Sequence, residues 1–464
     1  MFYGRKKELE FLNEKYASKK TEFVVLYGRR RVGKTELLKE FSKDKNPVFY
    51  ICKECTDREQ LNLFSEKLLA KNKLSKLLNS FKNWEDAFEF IGEFDEGKKN
   101  LIIIDEFPYM VKGNSSIPSI IQKHWDMKLK DKNLMLIICG SSMSFMENEI
   151  LAEKNPLYGR ATGIYKLDEL DIYDVKKFFN AYSNEDIIKA YAALGGVPHY
   201  LLQFENERSI EENIKKFILK KGSTLYSEVD FLMKQEFRET AVYYTLVEAI
   251  ALGNTRLNDI YTKTQIEKTK ISVYLSNLVG IGIVKKTYPV SDTTKNAANL
   301  YSGIYELDNN YFKFYFRFLF PRLSDLEMGD VDGVFKSYIE QELNNYIGRI
   351  FEDVCIRYMR YMNLKEKLPF RFDKIGRWWE KQKEIDMIAI GKDSVIYGEC
   401  KWKNAKVGIG ELNELRRKYV DAFFEKQNKY FYLFSKSGFD DELMKLAKIE
   451  KNVVLVGLED VMTV

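Results

Sequence analysis

The stretch Gly28-Arg29-Arg30-Arg31-Val32-Gly33-Lys34-Thr35 constrains this chain more than any other. It follows a short apolar run, Phe23 to Tyr27, and passes at once into the helical pattern ELLKEF. Backbone N–H groups can wrap an anion only where side chains do not obstruct them, and a helix N-terminus adds favourable partial charge. Glycines at 28 and 33 meet that need. A GxxxxGK[ST] segment between strand and helix is the pattern of a phosphate-binding loop, with Arg29, Arg30, Arg31 and Val32 contributing backbone to the cradle. The spacing assigns Lys34 to the β- and γ-phosphates of ATP and the Thr35 hydroxyl to its Mg²⁺.

Further brief apolar runs, Val48 to Ile51, Leu101 to Ile104, Leu134 to Cys139 and Ile164 to Leu167, are separated by helical stretches. That alternation predicts an α/β fold with a parallel sheet covered on both faces. Leu101-Ile-Ile-Ile-Asp105-Glu106 reads as a buried strand ending in two carboxylates. Asp105 is expected to hold Mg²⁺ opposite the phosphate loop, and Glu106 to orient and deprotonate the attacking water. Gly140-Ser141-Ser142 closes another strand with hydroxyls, Ser141 among them, that could sense the γ-phosphate or position water. Arg160, in Pro156-Leu-Tyr-Gly-Arg160, is a candidate to compensate a transferring phosphate, within the chain or across to a neighbouring copy; a surface ion pair is the competing reading.

A length of 464 residues exceeds what one core organises, so several domains are expected. No run approaches the ~20 apolar residues that cross a bilayer, which predicts no membrane span and a cytoplasmic protein. Five cysteines are too few and too odd in number for a disulfide framework. Cys52 and Cys55 form a CxxC without the second pair a zinc site needs, and read as ordinary thiols. With 31% charged residues but a net charge of only +5, any nucleic-acid surface must be local.

Between about residues 240 and 317 the period shifts. Thr264 to Leu278 places Ile271, Leu275 and Leu278 on one helical stripe and leaves Lys268, Ser272 and Asn277 outward. Ile283 to Tyr288 and Leu300 to Leu307 read as two strands of a wing joined by polar residues 291–299. Residues 256–286 carry Arg256, Lys263, Lys268, Lys270, Lys285 and Lys286 against Asp259 and Glu267. A winged helix-turn-helix with such a face suits a DNA backbone, although winged helices serve equally as packing modules. The aromatic run from Tyr311 to Phe320 reads as buried packing, followed by a polar connection over 322–333.

Two further strands follow, Glu384-Ile-Asp386-Met-Ile-Ala-Ile and Val395-Ile-Tyr-Gly-Glu399-Cys-Lys401. Alternation puts Glu399 and Lys401 on one side and Cys400 on the other, and Asp386 can approach from the neighbouring strand. Two carboxylates suit a second Mg²⁺ or Mn²⁺, while a lysine beside them can activate water or stabilise a developing phosphate charge. Lys403 and the basic helix over 411–419, with Arg416, Arg417 and Lys418, can neutralise phosphates.

Phe2-Tyr-Gly-Arg5-xx-Glu8-Leu9, YGRRRVGKT, LIIIDEFPYM, ICGSS, PLYGR and Gly195-Gly-Val-Pro198-His199-Tyr together resemble the archaeal-type ATPase family, AAA-related P-loop proteins near the signal-transducing STAND NTPases. The resemblance implies that Gly196 and Pro198 pack near the nucleotide base. The C-terminal segments resemble the PD-(D/E)XK nuclease superfamily. Asp386, Glu399 and Lys401 match its signature, Ile385-Asp386 stands in place of Pro-Asp, and Glu352 matches an acid on its first helix. The expected domains are a P-loop ATPase core over 1–170, a helical lid over 171–239, a winged helix over 240–320 and a restriction-endonuclease-like α/β domain over 336–464. Two functions fit. In one, an ATPase gates a metal-dependent nuclease acting on nucleic acid, DNA ahead of RNA. In the other, a nucleotide switch binds DNA or a protein partner without cutting. Homo-oligomerisation is compatible with either.

Overall fold

The computed structural model describes residues 2–71, 79–93, 97–291, 303–380, 383–419 and 426–463. They form two compact units, Met1–Leu170 with Val197–His199, and Asp171–Gly196 with Tyr200–Val464.

The first unit is built on strands β1 (Glu22–Tyr27), β2 (Val48–Ile51), β3 (Asn100–Asp105), β4 (Leu134–Gly140) and β5 (Gly163–Lys166). All pair in parallel, in the order β2-β3-β4-β1-β5. Every residue of β1, β3 and β4 is buried, which explains why these strands read as unbroken apolar runs and not as alternating ones. Val24, Leu26, Leu101, Ile103, Met135 and Ile137 form a core with Leu37, Leu38 and Phe41 of the Lys34–Ser42 helix. Full burial of one such aliphatic side chain contributes about 1.5–3 kcal/mol, so the helix that opens at the phosphate loop is fixed to the sheet. Strand β4 lies between β1 and β3. The loops leaving those three strands therefore adjoin at the carboxyl end, where open α/β sheets bind ligands.

In the second unit, the helices Thr240–Ala251, Leu257–Thr264 and Lys268–Gly280 precede an antiparallel ribbon of β6 (Val284–Thr287) and β7 (Ile304–Leu307). The expected second strand from Leu300 begins outside the described residues. Ile271, Leu275 and Leu278 are buried, whereas Lys268, Ser272 and Asn277 are exposed. The aromatic run is packing: Tyr311, Phe312, Phe314, Phe316 and Phe318 are all buried. The polar connection expected at 322–333 is largely helical, with turns at Leu323–Glu327 and Val331–Val334 leading towards a long helix, Glu340–Leu364.

A second five-stranded sheet follows the long helix. Its strands are β8 (Lys374–Glu380), β9 (Lys383–Ile390), β10 (Ser394–Lys401), β11 (Asn428–Ser435) and β12 (Val453–Gly457), in the order β12-β11-β10-β9-β8. The first three run antiparallel, and β10, β11 and β12 run parallel with the helix Ile409–Tyr419 crossing between β10 and β11. Phe351 of the long helix packs on Trp402 with ring centroids 5.2 Å apart. The ribbon region is joined to this sheet: the Val290 amide donates to the Arg377 carbonyl at 2.8 Å, and Val290 is buried in the core with Trp378 and Ile385. Among the described residues no helix is long and apolar enough to cross a membrane.

Candidate functional site

The loop after β1 has the backbone its sequence demands. A Cβ on Gly28 would lie 2.4 Å from the Leu167 carbonyl oxygen, so the strand exit tolerates no side chain. Gly33 has φ +93°, a conformation that L side chains rarely adopt. Lys34 is buried and donates from Nζ to the carbonyls of Gly28 and Arg29, both at 2.9 Å, so the ammonium lies over the loop. Burial lowers its pKa, which the nearby charges of Glu106 and Asp105 counteract.

Across the sheet, Asp105 is fully buried at the end of β3. Its carboxylate accepts the Thr35 hydroxyl at 2.6 Å and the Glu106 amide at 2.9 Å. Glu106 has φ 53°, a left-handed conformation that costs a non-glycine residue of order 1 kcal/mol. This bend turns the chain directly from β3 into the Phe107–Gly113 helix. At the end of β4, the Ser141 hydroxyl donates to Glu106 Oε2 at 2.7 Å. Thr35, Asp105, Glu106 and Ser141 thus form one hydrogen-bonded line joining the helix after the loop to the ends of β3 and β4. The Pro198 ring stands 3.7 Å from where a Cβ on Gly33 would be, which places the Val197–His199 turn against the loop. Gly196 falls in the second unit. Burial and the Arg31 charge together lower the His199 pKa.

Arg160 takes the ion-paired form of its two expected readings. It precedes β5, where the Thr162 amide bonds the Phe23 carbonyl and Gly163 pairs with Val24. That is the amino-terminal end of the sheet, roughly 16 Å of strand from Gly28 at about 3.3 Å per residue. There the guanidinium grips Asp126 with Nε at 3.0 Å and Nη2 at 2.7 Å. The parallel sheet separates Arg160 from the chain's own phosphate loop.

Sequence reasoning also missed the brace beneath the loop. Arg5 is buried, donating to the Val32 carbonyl at 2.8 Å and to Glu8 at 3.0 Å. The only signal was the Gly4-Arg5-xx-Glu8 pattern near the start of the chain.

A family model described as "ATPase domain predominantly from Archaea" matches residues 2–204, and a model of archaeal and bacterial proteins of unknown function matches residues 315–429. An uncharacterized protein of Methanocaldococcus jannaschii is 36% identical over 408 residues, 88% of either chain. The chain belongs to the archaeal-type ATPase family. An uncharacterized ATP-binding protein of Pyrococcus abyssi is 26% identical over 327 residues, 60% of this ATPase and 99% of the relative. Among solved structures, the Walker-type ATPase PABY2304 of Pyrococcus abyssi shares the fold with TM-score 0.51 and 19% identity, covering 68% of this ATPase and 96% of that chain.

The ATPase carries a second polar cluster in the β8–β12 sheet. Asp386 on β9 accepts the Cys400 amide at 2.8 Å. Glu399 on β10 is 3% exposed; it accepts Lys401 Nζ at 2.7 Å and Lys418 Nζ at 3.1 and 3.2 Å on its two oxygens. Glu352, on the long helix, pairs with Arg349 at 2.9 Å and Arg377 at 3.3 Å. Burial, aided by the Glu399 charge, pushes Asp386 up to about 6. Burial and the Asp386 charge push Glu352 up to about 8, outweighing both guanidinium groups. The structure therefore brings Glu352, Asp386, Glu399 and Lys401 together. Among the described residues, however, no group of three or more His, Cys, Asp or Glu stands ready to hold a metal. Glu399 and Glu352 are instead paired with cationic side chains. Lys418, Arg349 and Arg377 are the partners that sequence reasoning did not assign.

Proposed function

We propose that this ATPase hydrolyses ATP at the 28–35 loop and uses its nucleotide state to control a metal-dependent, nuclease-like centre acting on nucleic acid. For the first half, the donor set fits a Mg-nucleotide: an oxygen pair of Thr35 and Asp105 suits a hard cation, and a buried lysine suits phosphate. The bound Mg-nucleotide supplies a phosphoanhydride whose charge the cation neutralises. Thr35 and Asp105 would hold the cation, and Lys34, now bonded to loop carbonyls, would bind phosphate oxygens. Glu106 orients the attacking water and accepts its proton, with the carboxylate aimed by Ser141.

What supports the second half is Asp386, Glu399 and Lys401 on the neighbouring strands β9 and β10, with Lys401 bonded to Glu399 and Glu352 on the long helix that precedes the sheet. Asp386 and Glu399 are the residues to hold Mg²⁺ or Mn²⁺, and Lys401 is placed to activate water or stabilise developing phosphate charge. The helices over 240–280 and the β6–β7 ribbon read as a winged helix that binds the nucleic acid, DNA ahead of RNA.

The occupation of Glu399 by two lysines favours a second reading, a nucleotide switch that binds without cutting. Incubation with single- and double-stranded DNA and RNA, with Mg²⁺ or Mn²⁺, with and without ATP, separates the two. Metal-dependent cleavage that disappears in Glu399→Ala while ATP turnover persists is the expected result. Intact ATP turnover with no cleavage in any condition would overturn the nuclease half and leave the switch.

A further inference from the structure

The second unit contains a cleft of about 650 Å³ bounded by the end of the Thr240–Ala251 helix, β7, the long helix and the β8–β9 hairpin. Arg256, Lys313, Arg317, Arg349 and Lys383 line it. Its acids are already engaged: Glu342 accepts Arg317 at 2.6 Å, Glu384 accepts Arg349 at 2.5 Å, and Glu306 accepts Arg377 at 2.9 Å. Arg256 is exposed, and its guanidinium has no hydrogen-bond or ion-pair partner among the described residues. Among the described residues the Lys313 ammonium meets Asn310 at 3.1 Å and Asp353 at 3.9 Å, and burial lowers its pKa.

The position of the cleft gives this positive excess a use. Arg349 lies one helical turn before Glu352 on the long helix and bonds both Glu352 and the cleft acid Glu384. Glu384 in turn lies two residues before Asp386 on β9, on the same side of the strand. The carboxylate cluster and the cleft are therefore consecutive along two elements, and Arg349 belongs to both.

We propose that this cleft binds phosphate, and that its ligand is the backbone of a nucleic-acid strand on one side of the Asp386–Glu399 centre. The proposal rests on the nucleic-acid reading above. Arg256 supplies the uncompensated charge, and Lys313 adds an ammonium only loosely paired with Asp353. Phosphate arriving at Arg349 competes with Glu352 for the guanidinium, so strand binding loosens one of the cationic clamps on the cluster. A free nucleotide offers the same phosphate chemistry and is the alternative source.

Fluorescence anisotropy of a labelled oligothymidylate, in EDTA so that no cleavage is required, tests this on the full chain. Arg256→Glu and Lys383→Glu alter exposed side chains, and a wild-type denaturant unfolding transition of the second unit reports that each variant is folded. Each reversal is expected to weaken strand binding about tenfold and to reduce the salt slope by about 0.7, the contribution of one single-strand phosphate. Arg256→Lys should restore most of the affinity. Thymidine monophosphate in millimolar excess should not displace the strand; displacement at micromolar concentration would reassign the cleft to a free nucleotide and overturn the strand. Wild-type affinity and slope in both reversals, or no strand binding by the wild type, would also overturn the proposal. Binding that depends on Arg256 in a protein that never cleaves would sink the nuclease reading and leave the cleft intact.

Discussion

The two carboxylate sites of this ATPase contain similar groups in opposite states of readiness. At the carboxyl end of β1–β5, Asp105 and Glu106 receive hydroxyls, from Thr35 and Ser141, and Lys34 rests on loop carbonyls. In the β8–β12 sheet, Glu399 carries two lysines and Glu352 two arginines. A hydroxyl bonded to a carboxylate contributes about 1.5–3 kcal/mol net, and a cation that displaces it leaves no charge buried without a partner. Separating one member from a buried ion pair costs about 3–5 kcal/mol. A cation entering the first site would displace hydroxyls, whereas one entering the second would first have to exchange salt bridges.

The largest effect expected from breaking this comparison is at Arg377. Its guanidinium is 5% exposed and meets Glu306, Glu352 and Asp353 together. Arg377→Met leaves three carboxylates without it, and denaturant unfolding of the second unit should show a loss of about 3–5 kcal/mol. ATP turnover should stay within about twofold if the variant is assayed below its unfolding transition, because no loop residue is altered. A loss below about 1 kcal/mol would mean that the network is held as loosely as a surface ion pair. Next in size is Lys34→Ala. Removal of one buried cationic donor aimed at the transferring phosphate should lower ATP turnover by about 100-fold or more, with strand binding in EDTA unchanged. Undiminished turnover would remove the phosphate-loop assignment.

The two sites also differ in how far they could be read from sequence. The phosphate loop is legible because backbone geometry compresses its requirements into eight consecutive residues, glycines included. Asp105 and Glu106 were legible because a fully buried strand that ends in two acids is conspicuous. The insertion of β4 between β1 and β3 was not legible, since strand order is set by tertiary pairing, and this order is what brings Ser141 to Glu106. Arg160 shows the same limitation: its motif carries no information about which end of the sheet it occupies. In the second sheet, alternation revealed Asp386, Glu399 and Lys401. Their partners Arg349, Arg377 and Lys418 come from a helix, a neighbouring strand and a crossover helix, and no local spacing links them. The ribbon's attachment through Val290 to Arg377 was hidden for the same reason.

A smaller effect sharpens the role of the hydrogen-bonded line. Ser141→Ala removes the donor that aims Glu106 but no group proposed to contact the cation. Single-turnover kinetics should show kcat falling about tenfold, roughly 1.4 kcal/mol of barrier, with KM little changed. A rise in KM at constant kcat would instead place Ser141 in ground-state nucleotide binding.

The smallest effect belongs to Arg160. Its pair with Asp126 is partly exposed, so Arg160→Ala should change stability by less than about 1 kcal/mol. Because the sheet separates it from the chain's own loop, turnover per molecule in dilute protein should remain within about twofold of wild type. The informative comparison is with concentrated protein. If wild-type specific turnover rises with concentration and the variant's does not, the guanidinium leaves Asp126 to serve the phosphate of a neighbouring copy. If the two curves coincide at every concentration, Arg160 is a surface ion pair at the far end of the sheet, and all the charge compensation at the phosphate loop comes from the groups already gathered around it.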